Sequence, residues 1–184
     1  MDHAEADPDG GHLPVAAPTD AHGCTNVVGY ANAFEALGYP TAVVCDNDDP
    51  KLVVADLAIS IELAQTAAGL CIEEQVSRDL SPAGLRLFAL HGISSVNHTR
   101  LNQKLVSRDC LPTDLQALLD DTADAHQLAR LRTALGLTAE ADGNEWFKTI
   151  DGGTQLARIV VAHGQADTVT HEIVQKLTVW CRGD

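Results

Sequence analysis

No apolar run in this 184-residue chain approaches the roughly 20 residues that cross a bilayer, so nothing in it reads as a membrane span. Its start, MDHAEADPDGGHLPVAAPTD, has neither the basic n-region nor the apolar h-region of a secretory signal. Those two absences predict a cytoplasmic protein. Basic residues are also scarce, 12 Lys and Arg against 26 Asp and Glu, for a net charge of -14. Such a surface repels polyanions and cannot hold DNA by phosphate neutralisation alone. Any nucleic-acid role therefore needs a bound metal, a local basic patch or a partner. A halophilic or GC-rich source gives the same acidic, Lys-poor, Ala-rich composition, so the charge is weak evidence about function.

The chain also lacks the spacings of a metal or disulfide frame. Its five cysteines, Cys24, Cys45, Cys71, Cys110 and Cys181, include no CxxC and are odd in number, which predicts reduced, mostly buried thiols. The eight histidines are as scattered, and His22 with Cys24 is the closest approach to a ligand pair, half of what structural zinc requires. No GxxxxGK[ST] phosphate loop occurs.

What is present is a folding chain, 45% hydrophobic, with room for one domain and a helical appendage. Residues 1–20 carry almost no large apolar side chains, and a disordered leader is expected there. Val27, Val28, Ala31, Phe34 and Leu37 recur at helical spacing, and Gly38 with Pro40 stops that helix. Thr41 to Cys45 is continuously apolar and β-rich, as in a strand covered on both faces. Helix, glycine turn, strand and acidic end make one α/β unit, with Asp46 at the carboxyl end of the strand, where open α/β sheets place their ligands.

Beyond Pro50 the pattern turns helical. Residues 51–65 are ambiguous between helix and a strand–helix mixture, and helices are expected over 70–80, 83–91, 95–107, 113–119, 123–135, 154–163 and 167–182. Ser81 and Pro82 read as a cap and first helical residue, Thr113 and Asp167 as further caps, and Gly136 and Gly164 as stops. The expected division is a leader over 1–20, a partial α/β unit over 21–80, a helical insertion over 81–142, and a last segment over 143–184 packing back on the α/β unit.

Three stretches carry candidate chemistry. In Asp46-Asn47-Asp48, alternate residues leaving a strand can turn two carboxylates to one side, as a hard cation such as Mg²⁺ requires. The alternative is a solvated turn with Asp49-Pro50 as its exit. In GNEWFKTIDGGTQLARIV, Trp146 and Phe147 read as aromatic anchors fixing Lys148, one of four lysines, against the α/β unit, although core packing alone explains both rings. In AGLCIEEQVSRDL, Glu73 and Glu74 open a helix, where acidic residues complement the helix dipole, and Glu73 is also a candidate metal ligand.

In this order, LGYPTAVVCDND, GLCIEEQVSRDL and EWFKTIDGGTQLARIV resemble the C-terminal catalytic region of the OLD (overcoming lysogenization defect) nucleases, closest to the class containing the Gabija anti-phage nuclease. The likeness covers roughly residues 25–161 and implies a partial TOPRIM, Rossmann-like fold. It implies Mg²⁺- or Mn²⁺-assisted cleavage of DNA, with two cations ~3.5–4 Å apart clamping the attacking and leaving oxygens. On the matched positions, Asp46 and Asp48 fall on metal ligands and Lys148 on the lysine that stabilises charge on the phosphate. The family's EGxTE segment does not precede Asp46, and Gln65 and Thr66 stand where further carboxylates are expected. The family's ATPase domain is not expected within these 184 residues. The resemblance thus implies either a nuclease half completed by an ATPase or helicase partner, or a catalytically degenerate TOPRIM remnant that serves as an interaction or regulatory module. An incomplete sheet with exposed edges also implies self-association.

Overall fold

The computed structural model describes residues 24–48, 56–141, 146–147 and 149–183. The expected leader, His22 of the His22–Cys24 pair, the Asp49-Pro50 exit and Lys148 lie outside the described residues. The described fold is α/β in the broad sense: one short parallel sheet and, for the rest, helices. In chain order the elements are α1 (Cys24–Ala36), β1 (Ala42–Cys45), β2 (Glu62–Gln65), α2 (Ile72–Asp79), α3 (Pro82–Val96), α4 (His98–Val106), α5 (Asp114–Leu119), α6 (Ala125–Glu140), α7 (Ile150–His163) and α8 (Val169–Arg182). None of the described helices is long and apolar enough to cross a membrane.

Gly38 ends α1 at φ +83°, a left-handed turn that glycine adopts without strain, and the Tyr39 N–H reaches back to the Phe34 carbonyl. The chain reverses into β1, which pairs in parallel with β2 in the register Ala42↔Glu62 through Cys45↔Gln65. Helix α1 covers one face, where Ala31, Val43, Cys45 and Ile61 form a small core. Asn32 pins the approach to β2 by donating to the Asp56 carbonyl and accepting from the Ala58 N–H. Helix α8 lies near both strands, with Lys176 Nζ 3.2 Å from the Leu63 carbonyl and 3.7 Å from Glu62 Oε1. The ambiguous stretch over 51–65 therefore holds a strand at its end, spanning only Glu62–Gln65.

The larger core is helical. Leu80, Leu85, Phe88, Leu101, Leu105, Leu115, Leu131, Leu135 and Ile159 are buried at its centre. Several boundaries differ from expectation for local reasons. The break expected before Ser95 falls at Asn97, which sits at φ +67° and caps α4 by accepting from the Arg100 N–H. Asn tolerates the left-handed region and is also a strong N-cap. Asp167 is a left-handed turn residue, and Thr168 caps α8. Thr149 caps α7, so that helix runs through Gly152 and Gly153 instead of starting after them.

Gly136 does not stop α6. It lies where α6 crosses α2, and a Cβ there would sit 2.6 Å from both Glu74 Cα and Ser77 Oγ. Ser77 Oγ lies 2.7 Å from the Arg132 carbonyl, and Arg132 Nη1 donates to the carbonyls of Ser77 and Arg78 at the end of α2. The two helices thus run antiparallel, locked by side chain to backbone bonds.

Asp114 anchors the other side of α6. It is fully buried, accepts the Leu111 N–H and Gln127 Nε2, and makes a two-point pair with Arg130 Nε and Nη2 at 3.0 and 3.1 Å. Burial opposes its charge, but the Arg130, Leu111 and Gln127 hydrogen bonds prevail and hold its pKa below the ordinary 3.8. Its contribution is present above the unfolded pKa and is lost as pH falls through the folded one. Asp114→Ala is expected to cost about 3 kcal/mol at pH 7 by leaving its donors without an acceptor. Urea unfolding at pH 7 and near pH 3 checks this: the gap to the parent chain should narrow in acid.

Candidate cation site at the carboxyl ends of the strands

Asp46 leaves β1 and Thr66 leaves β2 at the same end of the sheet. Between them the chain is tied closely. The Asn47 N–H donates to Thr66 Oγ1 at 2.9 Å and its side-chain amide to the Thr66 carbonyl, while the Gly69 N–H donates to the Asn47 carbonyl at 2.7 Å. Thr66 Oγ1 in turn donates to the Leu70 carbonyl. Thr66, where the family pattern expects a carboxylate, is here a buried latch holding the turn into α2.

That turn aims the first residues of α2 at Asp46. Cys71, the N-cap residue, makes no side-chain cap, and Asp46 Oδ1 accepts the Ile72 N–H at 2.6 Å instead. A carboxylate from the end of a strand thus caps a helix 26 residues further on. Burial nevertheless raises the Asp46 pKa from 3.8 to about 6, the Ile72 N–H opposing and the negative charges of Asp48, Glu73 and Glu140 adding to the rise. The Cys71 thiol is pushed up to about 12 by the same burial, against a hydrogen bond with Glu74 and with Glu73, Glu74 and Asp46 adding. At neutral pH it is held as the thiol.

Of the residues named from sequence, Asp46, Asp48 and Glu73 come to this corner, and Lys148 is outside the described residues. Asp48 is exposed. Glu73 is only 8% exposed, and its carboxylate has no hydrogen bond or ion pair among the described residues. Glu74 is 3.9 Å from Arg78 across one helical turn. Among the described residues no three His, Cys, Asp or Glu side chains converge as a ready-made metal cage. The donors are nonetheless of the right kind: oxygen atoms of carboxylates, one of them half-committed to a helix cap. A hard cation prefers such ligands, completed by water and substrate phosphate.

Glu140, the fourth charge at this corner, escaped the sequence reading because Gly136 was expected to end α6 before it. The signal was the unbroken helical pattern beyond that glycine.

The aromatic pair is placed differently from expectation. Trp146 and Phe147 pack on α3, in the helical core, instead of against the α/β unit. Trp146 covers Gly92, Phe147 meets Phe88 with ring centroids 4.8 Å apart, and the His91 ring stacks on Phe147 with its Nε2 3.0 Å from the Trp146 carbonyl. Beside them an open cleft of about 670 Å³ separates His91 and Ser95 of α3 from Asp151, Gln155 and Arg158 of α7. A smaller, apolar cavity of about 210 Å³ lies between Val44 and Ile72 on one side and Leu156, Val160 and Ile173 on the other.

Compared with known proteins, the chain matches no family model, no curated protein and no solved structure.

Proposed function

We propose that this chain is the TOPRIM-like C-terminal part of an OLD-type DNA endonuclease that hydrolyses phosphodiester bonds with Mg²⁺ or Mn²⁺. The observation that carries this reading is the corner itself. Asp46 is held at the carboxyl end of a parallel strand, at the start of a helix, and the pKa of its carboxyl is raised to about 6, chiefly by burial, with the charges of Asp48 and Glu73 adding a smaller part. Like charges crowded in this way destabilise one another until a cation is placed among them. Asp46, Asp48 and Glu73 would hold that cation, which when bound polarises a phosphoryl oxygen and acidifies a water. Lys148 is assigned the phosphate-facing charge by resemblance alone. With a net charge of -14, DNA affinity would come through the cation and through a partner, either an ATPase- or helicase-bearing polypeptide or a second copy. The outer edges of β1 and β2 have no strand partner among the described residues, which supports such assembly.

The test is plasmid nicking by the purified chain with Mn²⁺ or Mg²⁺, beside an Asp46→Ala, Asp48→Ala double variant, with light scattering on the same samples. Cation-dependent nicking that the double variant lacks is the expected result. A folded parent chain that never nicks, or a double variant that nicks equally well, rejects the isolated chain as a nuclease. A second reading, a catalytically degenerate TOPRIM remnant acting as an interaction or regulatory module, is favoured by one specific observation. Asp46 and Thr66 both serve as structural latches here, one capping α2 and the other fixing its entry turn.

A further inference from the structure

We infer that the outer face of α4, with its row of Arg100, Lys104 and Arg108, is the surface on which this chain receives the phosphate backbone of DNA. The choice of partner rests on the nuclease reading above, and the surface adds a source of DNA affinity beside the cation and a partner polypeptide.

Charge is divided unevenly along the chain. Residues 80–108, which include α3 and α4, hold Arg86, Arg100, Lys104 and Arg108 and not one Asp or Glu. The rest has 8 Lys and Arg against 26 Asp and Glu, a charge of -18. Helix α6, which packs against α4, has no acidic residue before its last position, Glu140. The exclusion of carboxylates from this stretch leaves a positive island in a negative field, toward which a polyanion is steered.

These four basic side chains are also uncommitted. Elsewhere the cations serve the fold: Arg78 lies 3.9 Å from Glu74, Arg130 pairs with the buried Asp114, Arg132 donates to the carbonyls of Ser77 and Arg78, and Lys176 reaches Glu62 and the Leu63 carbonyl. Arg86, Arg100, Lys104 and Arg108 make no ion pair, and their side chains no hydrogen bond, among the described residues. The dipole of α4 accounts for Lys104 in its last turn, but it disfavours Arg100 in its first.

The helix arranges three of the four in a line. Leu101 and Leu105 bury α4 in the core, so Arg100 and Lys104 stand about 100° round the helix from the buried stripe. Arg100 is exposed and Lys104 and Arg108 are half-buried. Arg108 extends the row past the helix end, its N–H donating to the Leu105 carbonyl. Steps of four residues rise about 6 Å each, which makes the row about 12 Å long. Phosphates of one DNA strand recur every ~3.4 Å of duplex axis, so a row of that length can give each cation its own phosphate.

The test measures binding of a fluorescein-labelled DNA duplex to the whole chain by anisotropy in EDTA, over a series of salt concentrations, with light scattering on the same samples. The parent is expected to bind, and log K to fall against log salt with a slope of about -2.7, as three phosphate contacts require. The triple variant Arg100→Gln, Lys104→Gln, Arg108→Gln should bind roughly tenfold or more weakly at low salt. Lys104→Gln alone should reduce the slope by about 1. A control with the same net charge, Arg158→Gln, Lys176→Gln, Arg182→Gln, should keep most of the affinity. A parent that binds no duplex, or a control that loses as much as the triple variant, overturns the surface. A triple variant that binds DNA as the parent does but changes its mass in solution overturns it too, by giving the face to a second copy. Plasmid nicking separates this inference from the nuclease reading. A parent that binds through the row and never nicks keeps the surface and loses the nuclease, and a nicking parent whose triple variant binds equally well does the reverse.

Discussion

Gly136→Leu is expected to destabilise the chain by at least about 3 kcal/mol, the largest stability effect of any single substitution considered. Two terms oppose each other at this position. A glycine inside a helix is disfavoured by about 1 kcal/mol relative to alanine, so filling it would normally stabilise α6. Here the first added carbon already overlaps Glu74 Cα at 2.6 Å, and that neighbour is backbone, which cannot rotate aside. The overlap wins, and α2 must be pushed off α6. Gly136→Ala should therefore lose about 1–2 kcal/mol despite its better helix propensity, and Gly136→Leu more than twice that. Urea unfolding followed by far-ultraviolet dichroism checks the order. A leucine variant with an unchanged midpoint would mean that the crossing is looser than described. The consequence reaches the site, because α2 carries the amide that Asp46 caps and the buried Glu73.

The same glycine shows what could and could not be read from the sequence. The first helix, the strand to Cys45 and the acidic end of that strand were legible because each follows from local pattern: helical spacing closed by Gly38, an unbroken β-rich run, and carboxylates just beyond. The helices over 70–80, 113–119 and 154–163 were legible to within a few residues for the same reason. Boundaries failed where one residue type serves two purposes. Gly136 resembles a helix stop, yet its missing side chain permits a close helix crossing, a tertiary requirement with no local signature. Asn97, in contrast, carried a local signal, since asparagine both tolerates φ +67° and caps a helix, and it outweighed the serines before it. Strand β2 was hidden because four residues are too few for alternation to outvote helical spacing.

The candidate site divides in the same way. Asp46 and Asp48 were legible from position alone, at the end of a strand. That Asp46 caps a helix 26 residues away, that Thr66 is a latch, and that Glu140 shares the corner all depend on how α2 is entered and on which residues of α6 lie against it. The Trp146–Phe147 pair was recognised as anchoring, but its partner was misjudged, since nothing in the stretch itself distinguishes packing on α3 from packing on the sheet.

Asp46→Asn is expected to make the protein more stable at pH 8 while abolishing cation-dependent activity. Burial and the crowded charges raise the Asp46 pKa from 3.8 unfolded to about 6 folded, so the folded chain holds this proton more tightly than the unfolded one. The resulting stability is fully present below the unfolded pKa and is lost as pH rises through about 6. A shift of about two units corresponds to about 3 kcal/mol, and partial solvent access at this corner brings the expected loss to about 2 kcal/mol. Asparagine removes the charge but keeps an oxygen that can accept the Ile72 N–H, so the cap on α2 survives. The variant should therefore exceed the parent by about 2 kcal/mol at pH 8 in EDTA, with the advantage vanishing near pH 4. Chemical unfolding at the two pH values measures it. A variant less stable than the parent at pH 8 would show the carboxylate to be a favourable structural charge and not a crowded one. Adding Mn²⁺ completes the argument, because the cation should supply to the parent at pH 8 the relief that a proton supplies at pH 4. The parent should then regain stability at pH 8 and the Asn variant should not, which separates a carboxylate kept for a ligand from one kept for the fold.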